Sequence, residues 1–276
     1  MTHSRADIQR LLADGNLRPS RALGQNFVAD PNTVRRIARL ADVGPGTSVL
    51  EIGAGLGSLT LALAETGADV TAVELDRHLV PLLRAEVEDR GVIVIEGDAL
   101  RMDWDKVLGN GVDSRRWVLV ANLPYNIATP LVADLLDGVP AIERMLVMVQ
   151  REVAERLAAH VGDTGYGAVS VKVDYWASAR LVGKVPASVF VPRPNVESAL
   201  VEIVRRPVPA VDPGLVSPAT VFSLVRVGFG QRRKMLRRAL AGVVGPDAFA
   251  CAGVDPAARA EELDVAAWGR LAACQR

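Results

Sequence analysis

The sequence of 276 residues lacks long hydrophobic runs. Its apolar stretches, such as 117–123, are far shorter than the roughly 18 consecutive residues that a membrane-spanning helix requires. The opening stretch from Met1 to Pro19 mixes polar, charged and short apolar groups, so we also expect no secretion signal. These absences favour a soluble protein of the cytoplasm with no membrane partner.

Cysteine is scarce, since only Cys251 and Cys274 are present. The two residues have no CxxC spacing and no neighbouring pair of histidines, which argues against a zinc site and against a disulfide framework. We therefore expect two separate thiols, no bound metal and a reducing environment.

An excess of charge is also missing, because 32 basic residues balance 32 acidic ones. Zero net charge by itself argues weakly against a nucleic-acid partner, since phosphate binding depends on clustered Lys and Arg. The distribution is uneven, however. Residues 205–276 carry 11 basic and 6 acidic side chains, whereas residues 1–204 carry 21 and 26. Positive charge is therefore concentrated at the C-terminal end.

Short apolar runs rich in β-branched residues alternate with helical patterns in the first two-thirds of the chain. The predicted strands are 48–52, 69–73, 92–95, 117–121 and 145–149, and the predicted helices are 31–40, 59–65, 79–89 and 151–158. This alternation predicts an α/β fold with a parallel sheet and helices on both faces. Two further apolar runs, 169–176 and 196–204, predict an antiparallel pair of strands at the sheet edge.

A proline-rich stretch, 207–218, predicts a linker and a domain boundary. Helical spacing returns after residue 219, with glycines as stop signals. The sequence therefore predicts a larger domain over 1–206 and a small helical domain over 207–276.

A glycine-rich turn follows the first predicted strand and leads into a helix. Gly53, Gly55 and Gly57 form a GxGxG pattern, in which a ligand can approach the backbone closely. NAD-type loops prefer GxGxxG, so this spacing is more typical of methyltransferases. Taken alone, the pattern also fits an ordinary tight turn.

Two acidic residues follow the next two predicted strands. Glu74 lies 21 residues after Gly53, where a carboxylate can accept hydrogen bonds from both ribose hydroxyls of a nucleoside. Asp98 follows the third strand and can accept a hydrogen bond from an adenine amino group. The alternative for Glu74 is a solvated acid in a loop.

The tetrapeptide Asn122-Leu123-Pro124-Tyr125 follows the fourth strand. The N6 amino group of adenine is a poor nucleophile, because its lone pair is delocalised into the ring. The side-chain carbonyl of Asn122 and the backbone carbonyl of Leu123 can each accept one N–H, while Pro124 fixes the turn. Tyr125 offers a face on which an extruded adenine can stack. The alternative is an ordinary Asn-Pro turn with Tyr125 in the core.

Over nearly its whole length the chain resembles the small-subunit (16S) ribosomal RNA adenine N6,N6-dimethyltransferases. The matching blocks are LGQNFV (23–28), VLEIGAGLG (49–57), VELD (73–76), GDA (97–99), NLPYNI (122–127), FVPRPNVESA (190–199) and FGQRRKMLR (229–237). Two departures are conservative: Val28 stands where Leu is usual, and Glu197 where Asp is usual.

This resemblance implies a Rossmann-like class I methyltransferase sheet with S-adenosylmethionine as cofactor. The cofactor contacts would be Asn26, Val28, Gly53, Gly55, Glu74, Asp98 and Asn122. The target adenine would lie between Tyr125 and Phe190. The implied reaction is the dimethylation of two adjacent adenosines near the 3′ end of 16S rRNA, within the immature 30S subunit, and we expect the enzyme to act as a monomer.

A basic cluster without any acidic residue lies between residues 226 and 238. It consists of Arg226, Arg232, Arg233, Lys234, Arg237 and Arg238. On one helix, Arg233, Lys234 and Arg237 would lie on or near the same face. We predict that the cluster contacts RNA phosphates and makes 207–276 an RNA-binding domain. The alternative is a solvated helix face.

Three other functions remain open at this point. A 23S rRNA adenine methyltransferase of the macrolide-resistance type would keep the glycine loop and the Asn122 motif, although the block 231–237 favours the small-subunit type. An adenine-N6 DNA methyltransferase is a more distant alternative. A non-catalytic ribosome-assembly factor would use the fold only for binding, against which the intact Asn122 motif argues.

Overall fold

The computed structural model describes residues 2–109 and 115–275. The main element of the fold is a sheet of seven strands. The strands are β1 (Phe27–Val28), β2 (Ser48–Ile52), β3 (Asp69–Glu74), β4 (Ile93–Glu96), β5 (Trp117–Asn122), β6 (Ile142–Gln150), β7 (Ala177–Val185), β8 (Phe190–Val191) and β9 (Ser198–Arg205). The helices are α1 (Arg5–Asp14), α2 (Pro31–Ala41), α3 (Ser58–Ala64), α4 (Val80–Val87), α5 (Trp104–Leu108), α6 (Ala128–Gly138), α7 (Arg151–Leu157), α8 (Ala168–Trp176), α9 (Pro218–Gly230), α10 (Leu236–Ala239), α11 (Pro246–Ala252) and α12 (Val265–Ala273).

The strand order in the large sheet is β4-β3-β2-β5-β6-β9-β7. The strands from β4 to β6 run parallel, and β9 runs antiparallel to β6. All five residues of β2 are buried, as expected for a strand covered on both faces. The predicted α/β fold with a parallel sheet is therefore confirmed. A separate two-stranded sheet pairs β1 with β8.

The predicted strand over 169–176 is wrong, because this segment forms helix α8. Val171, Val173 and Tyr175 are all buried, and α8 packs against α9 and α12. The hydroxyl of Ser170 also donates a hydrogen bond to the carbonyl of Arg156 at 2.6 Å. Tertiary packing thus outweighs the β propensity of alternating valines.

The backbone divides into two compact units that differ from the predicted domains 1–206 and 207–276. The first unit contains Met1–Ala154 and Arg180–Val204, and the second contains Glu155–Ala179 and Arg205–Arg276. The segment with α8 belongs to the second unit because its helix packs there against the C-terminal helices. Trp268 and Leu224 are fully buried in the core of this unit.

The expectation of two separate thiols is wrong. Cys251 and Cys274 form a disulfide bond, with 6.0 Å between their Cα atoms. The cysteines lie 23 residues apart in the sequence, and they meet because α11 packs against α12.

Within the described residues, 2–109 and 115–275, no helix has the length and apolar character to cross a membrane. Over the same ranges, no group of three or more His, Cys, Asp or Glu side chains is arranged to hold a metal ion.

Candidate active site

A cavity opens at the carboxyl ends of β2, β3, β4 and β5. The predicted cofactor residues all line it: Asn26, Val28, Gly53, Gly55, Glu74, Asp98 and Asn122. Leu123, Pro124 and Tyr125 line the same cavity. Parallel strands bring their carboxyl ends to one edge of the sheet, so motifs distant in sequence meet there.

The glycine loop follows β2 with backbone angles that favour glycine. Gly53 and Gly55 have φ values of 77° and 60°. A Cβ atom on Gly55 would also lie only 3.0 Å from the ring of Phe27. The backbone N–H of Gly55 donates a hydrogen bond of 2.7 Å to Glu74 Oε2, so the loop is held against the end of β3.

Glu74 is buried, and both of its carboxylate oxygens accept backbone hydrogen bonds. Besides the bond from Gly55, Oε1 accepts one from the N–H of Asp76 at 2.9 Å. Burial raises the pKa of Glu74 above its ordinary value, although these backbone bonds oppose the rise. Each oxygen keeps acceptor capacity for a ligand.

Asp98 lies at the end of the neighbouring strand and is more exposed than Glu74. Its Oδ1 accepts a hydrogen bond from the N–H of Leu100 at 3.0 Å, and Oδ2 lies 3.6 Å from Nε of Arg101. The backbone hydrogen bond orients the carboxylate, which lines the cavity and keeps acceptor capacity for a ligand.

Asn122 is the last residue of β5, and its side chain is tethered to the N-terminal arm. Nδ2 of Asn122 donates a hydrogen bond to the carbonyl of Asn26 at 3.0 Å. With the NH2 group engaged, the side-chain oxygen is left to accept a hydrogen bond from a ligand. The acceptor role of Asn122 stays a prediction, for which this arrangement leaves the side-chain oxygen available.

Tyr125 is held by a hydrogen bond of 2.8 Å between its hydroxyl and Oγ of Ser198. Ser198 is fully buried, and burial raises the pKa of the Tyr125 phenol. The backbone of Gly24 packs on the same loop, where a Cβ would lie 3.0 Å from Asn126 Oδ1. The ring of Tyr125 is therefore fixed at the edge of the cavity.

Phe190 does not line the cavity, in contrast to the expected second stacking face. Its side chain is fully buried in the core with Val28 and Leu200. The cause is the pairing of β8 with β1, which places Phe190 opposite Val28.

Glu51 lines the cavity and was missed by the sequence analysis. It lies within β2 and is 2% exposed, and its Oε2 has no hydrogen-bond partner among the described residues. Burial raises the pKa of Glu51 to about 8, and the charge of Glu74 adds to the rise. The signal available in the sequence was an acidic residue between Leu50 and Ile52, in a strand whose only other polar residue is Ser48.

All six residues of the basic cluster are exposed, but they do not share one helix. Arg226 lies on α9, the next three follow in a turn, and Arg237 and Arg238 lie on α10. The single-helix interpretation is wrong because α9 ends at Gly230 and Met235 forms a β-bridge with Arg259. Nε of Arg232 donates a hydrogen bond of 2.5 Å to Glu261, so its charge is already paired.

Comparison with known proteins gives a consistent result. The family described as "Ribosomal RNA adenine dimethylase" matches residues 16–274. The "Ribosomal RNA small subunit methyltransferase A" of Thermobifida fusca is 47% identical, covering 97% of this chain and 94% of the relative. The protein of the same name from Streptomyces coelicolor is 46% identical with the same coverage.

Two solved structures share the fold. A dimethyladenosine transferase from Plasmodium falciparum superposes with a TM-score of 0.73 at 24% identity, covering 88% of this chain and 94% of that chain. The 23S rRNA methyltransferase ErmE gives a TM-score of 0.68 at 27% identity, covering 90% and 99%.

Proposed function

The chain belongs to the ribosomal RNA adenine dimethylase family, and from this premise we propose that it dimethylates N6 of two adjacent adenosines near the 3′ end of small-subunit rRNA. The observation that carries the proposal is the position of Asn122, whose side-chain oxygen remains an acceptor in the same cavity as the glycine loop. We further propose that the enzyme acts in the cytoplasm as a monomer on the immature 30S subunit.

The residues of the cavity fit S-adenosylmethionine as the methyl donor. The glycine loop lets a ligand approach the backbone closely, and at Gly55 a Cβ would crowd the ring of Phe27, which also lines the cavity. Glu74 would accept hydrogen bonds from the ribose, and Asp98 would accept one from the adenine amino group. The unpartnered buried oxygen of Glu51 would accept one from the amino group of the methionine part. When bound, the cofactor supplies an electrophilic methyl group.

In this proposal, two oxygen acceptors of the loop after β5 orient the reacting amine. The oxygen of Asn122 and the backbone carbonyl of Leu123 would each take one N–H of the target adenine, so that the nitrogen lone pair faces the methyl donor. Tyr125 would stack on the base, and base–aromatic stacking contributes about 1–3 kcal/mol. The nitrogen loses its proton after its lone pair has been used, so no strong general base is needed.

The small subunit is favoured over the large subunit as the source of the substrate. Relatives named for the small subunit are 44–47% identical to this chain, whereas the 23S rRNA methyltransferase ErmE is 27% identical. The two kinds of enzyme share the fold, so the choice of rRNA requires a direct assay.

The proposal is tested with labelled methyl donor, undermethylated 30S particles and naked 23S rRNA, followed by mass spectrometry of the nucleosides. We expect dimethyladenosine in the 30S particles. Asn122→Ala should lower kcat roughly 10²–10³-fold, as for the loss of one preorganised polar contact, while RNA binding remains. Asn32→Ala, an exposed residue on α2, is the matched control. Modification of 23S rRNA alone would refute the small-subunit assignment.

A further inference from the structure

A second cavity, of about 300 Å³, lies at the carboxyl end of β6. It is lined by Gln150, Arg151, Glu152, Val196 and Glu197, none of which lines the cofactor cavity. Its volume is at the lower end of the range for clefts that bind small ligands.

This second cavity lies beside the proposed adenine site. Because β5 and β6 run parallel with Asn122 opposite Met148, Gln150 ends β6 at the same sheet edge. Gln150 also pairs with Ser198 across β6 and β9, and Ser198 holds the hydroxyl of Tyr125. One strand pair and one hydrogen bond therefore separate the stacking tyrosine from the second cavity.

The lining suits a nucleobase better than a phosphate. Val196 is 46% exposed and offers an apolar surface. Nη1 of Arg151 donates a hydrogen bond of 3.2 Å to Glu197, and Glu152 adds a second carboxylate, so acids outnumber bases. Such a lining repels phosphate oxygens. The side-chain amide of Gln150 makes no hydrogen bond with any other described residue, and so it can both donate and accept.

We propose that the second cavity binds the base next to the target adenosine, and that the Gln150 amide favours adenine there. This inference rests on the proposed function, in which the substrate contains two adjacent adenosines. A glutamine amide pairs with N6 and N7 of adenine through two hydrogen bonds, and guanine does not offer the same donor and acceptor. The cavity thus accounts for the selection of an adenine pair, which phosphate contacts alone cannot provide.

The test uses undermethylated 30S particles in which one of the two adenosines is replaced by guanosine, each position in turn. Initial rates of methylation of the remaining adenosine are compared with those of the unaltered particle. Because a bidentate base contact discriminates by about 1–3 kcal/mol, we expect kcat/KM of the wild type to fall roughly 5- to 150-fold for the replacement that removes the neighbouring adenine. In Gln150→Ala the ratio of kcat/KM on the unaltered particle to kcat/KM on that substituted particle should approach one. The affinity of this variant for S-adenosylmethionine should be unchanged.

Gln150→Met keeps the side-chain volume without the hydrogen bonds and should give the same loss of discrimination if Gln150→Ala folds poorly. Gln9→Ala, an exposed glutamine on α1, is the matched control and should keep the wild-type ratio. The inference is overturned if the wild type methylates the two guanosine-substituted particles at equal rates, or if Gln150→Met discriminates between adenine and guanine as fully as the wild type. Either result would leave the proposed function intact. A wild-type enzyme that leaves the unaltered particle unmethylated would overturn the proposed function, and this inference with it.

Discussion

At the residue scale, Glu51 places a carboxyl group inside a buried strand that leads into the glycine loop. Because burial disfavours the charged form, the folded protein holds a proton on this group up to a pH of about 8. A neutral acid can donate a hydrogen bond as well as accept one, so the protonation state of Glu51 changes what the cavity offers to a ligand.

The raised pKa of Glu51 predicts a pH-dependent stability of the cofactor-free protein. The folded pKa of about 8 lies above the ordinary value of 4.5, so the contribution to stability is complete below pH 4.5 and is lost as the pH rises towards 8. Glu51→Gln removes the titration. We expect the free energy of unfolding of the wild type to fall relative to this variant by a few kcal/mol between pH 5 and pH 8.

Urea unfolding at pH 5, 6, 7 and 8 measures this difference. Glu143→Gln, which changes an exposed carboxylate on β6, should follow the wild-type profile. If the free energies of unfolding of the wild type and Glu51→Gln differ by the same amount at all four pH values, the raised pKa of Glu51 is contradicted.

Residues of the candidate site could be predicted from the sequence where they come at the end of a predicted strand. Glu74, Asp98 and Asn122 each follow an apolar run, and parallel strands bring such ends together. Phe190 was not predictable in the same way, because its burial depends on the pairing of β8 with β1, which lie far apart in sequence. The roles of these residues in binding and catalysis remain predictions.

At the element scale, the packing of α9 on α12 depends on a glycine. A Cβ on Gly228 would lie 2.5 Å from Cη2 of Trp268, whose side chain is fully buried. Gly228→Ala should therefore lower the free energy of unfolding by about 1–3 kcal/mol through overpacking. Thermal and urea unfolding followed by tryptophan fluorescence measure the effect.

Gly230→Ala provides the matched control in the same helix. A Cβ at Gly230 meets no atom within 4 Å, so this change should be neutral or stabilise the fold by up to about 1 kcal/mol. Equal stabilities of the two variants would show that Trp268 does not pack against α9 as described.

The disulfide between α11 and α12 gives a second prediction at this scale. Closing a loop of 23 residues restricts the unfolded chain, which corresponds to about 3 kcal/mol in the chain-entropy description. Reduction should lower the free energy of unfolding by up to this amount. Urea unfolding with and without reductant, together with thiol titration, tests the expectation.

Cys251→Ser is the control for the disulfide, since its stability should not respond to reductant. Two reactive thiols in the untreated wild type would contradict the bond. The sequence could not predict the pairing, because cysteine spacing does not reveal which helices pack together. The wrong prediction of a strand over 169–176 has a similar cause, since the burial of helix α8 is set by α9 and α12.

At the scale of the whole molecule, charge is divided between the two compact units. The second unit carries 13 basic and 9 acidic residues, whereas the first carries 19 and 23. The sequence already showed that positive charge is concentrated towards the C-terminal end, because counting charges requires no structure. It did not predict that Arg232 would be paired with Glu261, which reduces the charge that the basic cluster offers to phosphate.

The basic cluster should therefore bind RNA mainly through its unpaired members. Each phosphate contact contributes about 0.7 to the slope of log affinity against log salt for single strands. Replacing Arg233 and Lys234 together by Gln should weaken rRNA binding and flatten that slope by roughly 1 to 1.5. Arg232→Gln should change it less, because Glu261 already neutralises this side chain.

Fluorescence anisotropy with a small-subunit rRNA fragment, measured over a series of salt concentrations, gives the slopes. The double variant Arg35→Gln with Arg39→Gln, on α2 of the first unit, removes the same net charge and is the control. If binding reflects only the net charge of the molecule, the two double variants will flatten the slope equally. A loss confined to Arg233 and Lys234 instead requires direct contact between the turn after α9 and the phosphates, because screened charges far from the RNA contribute little.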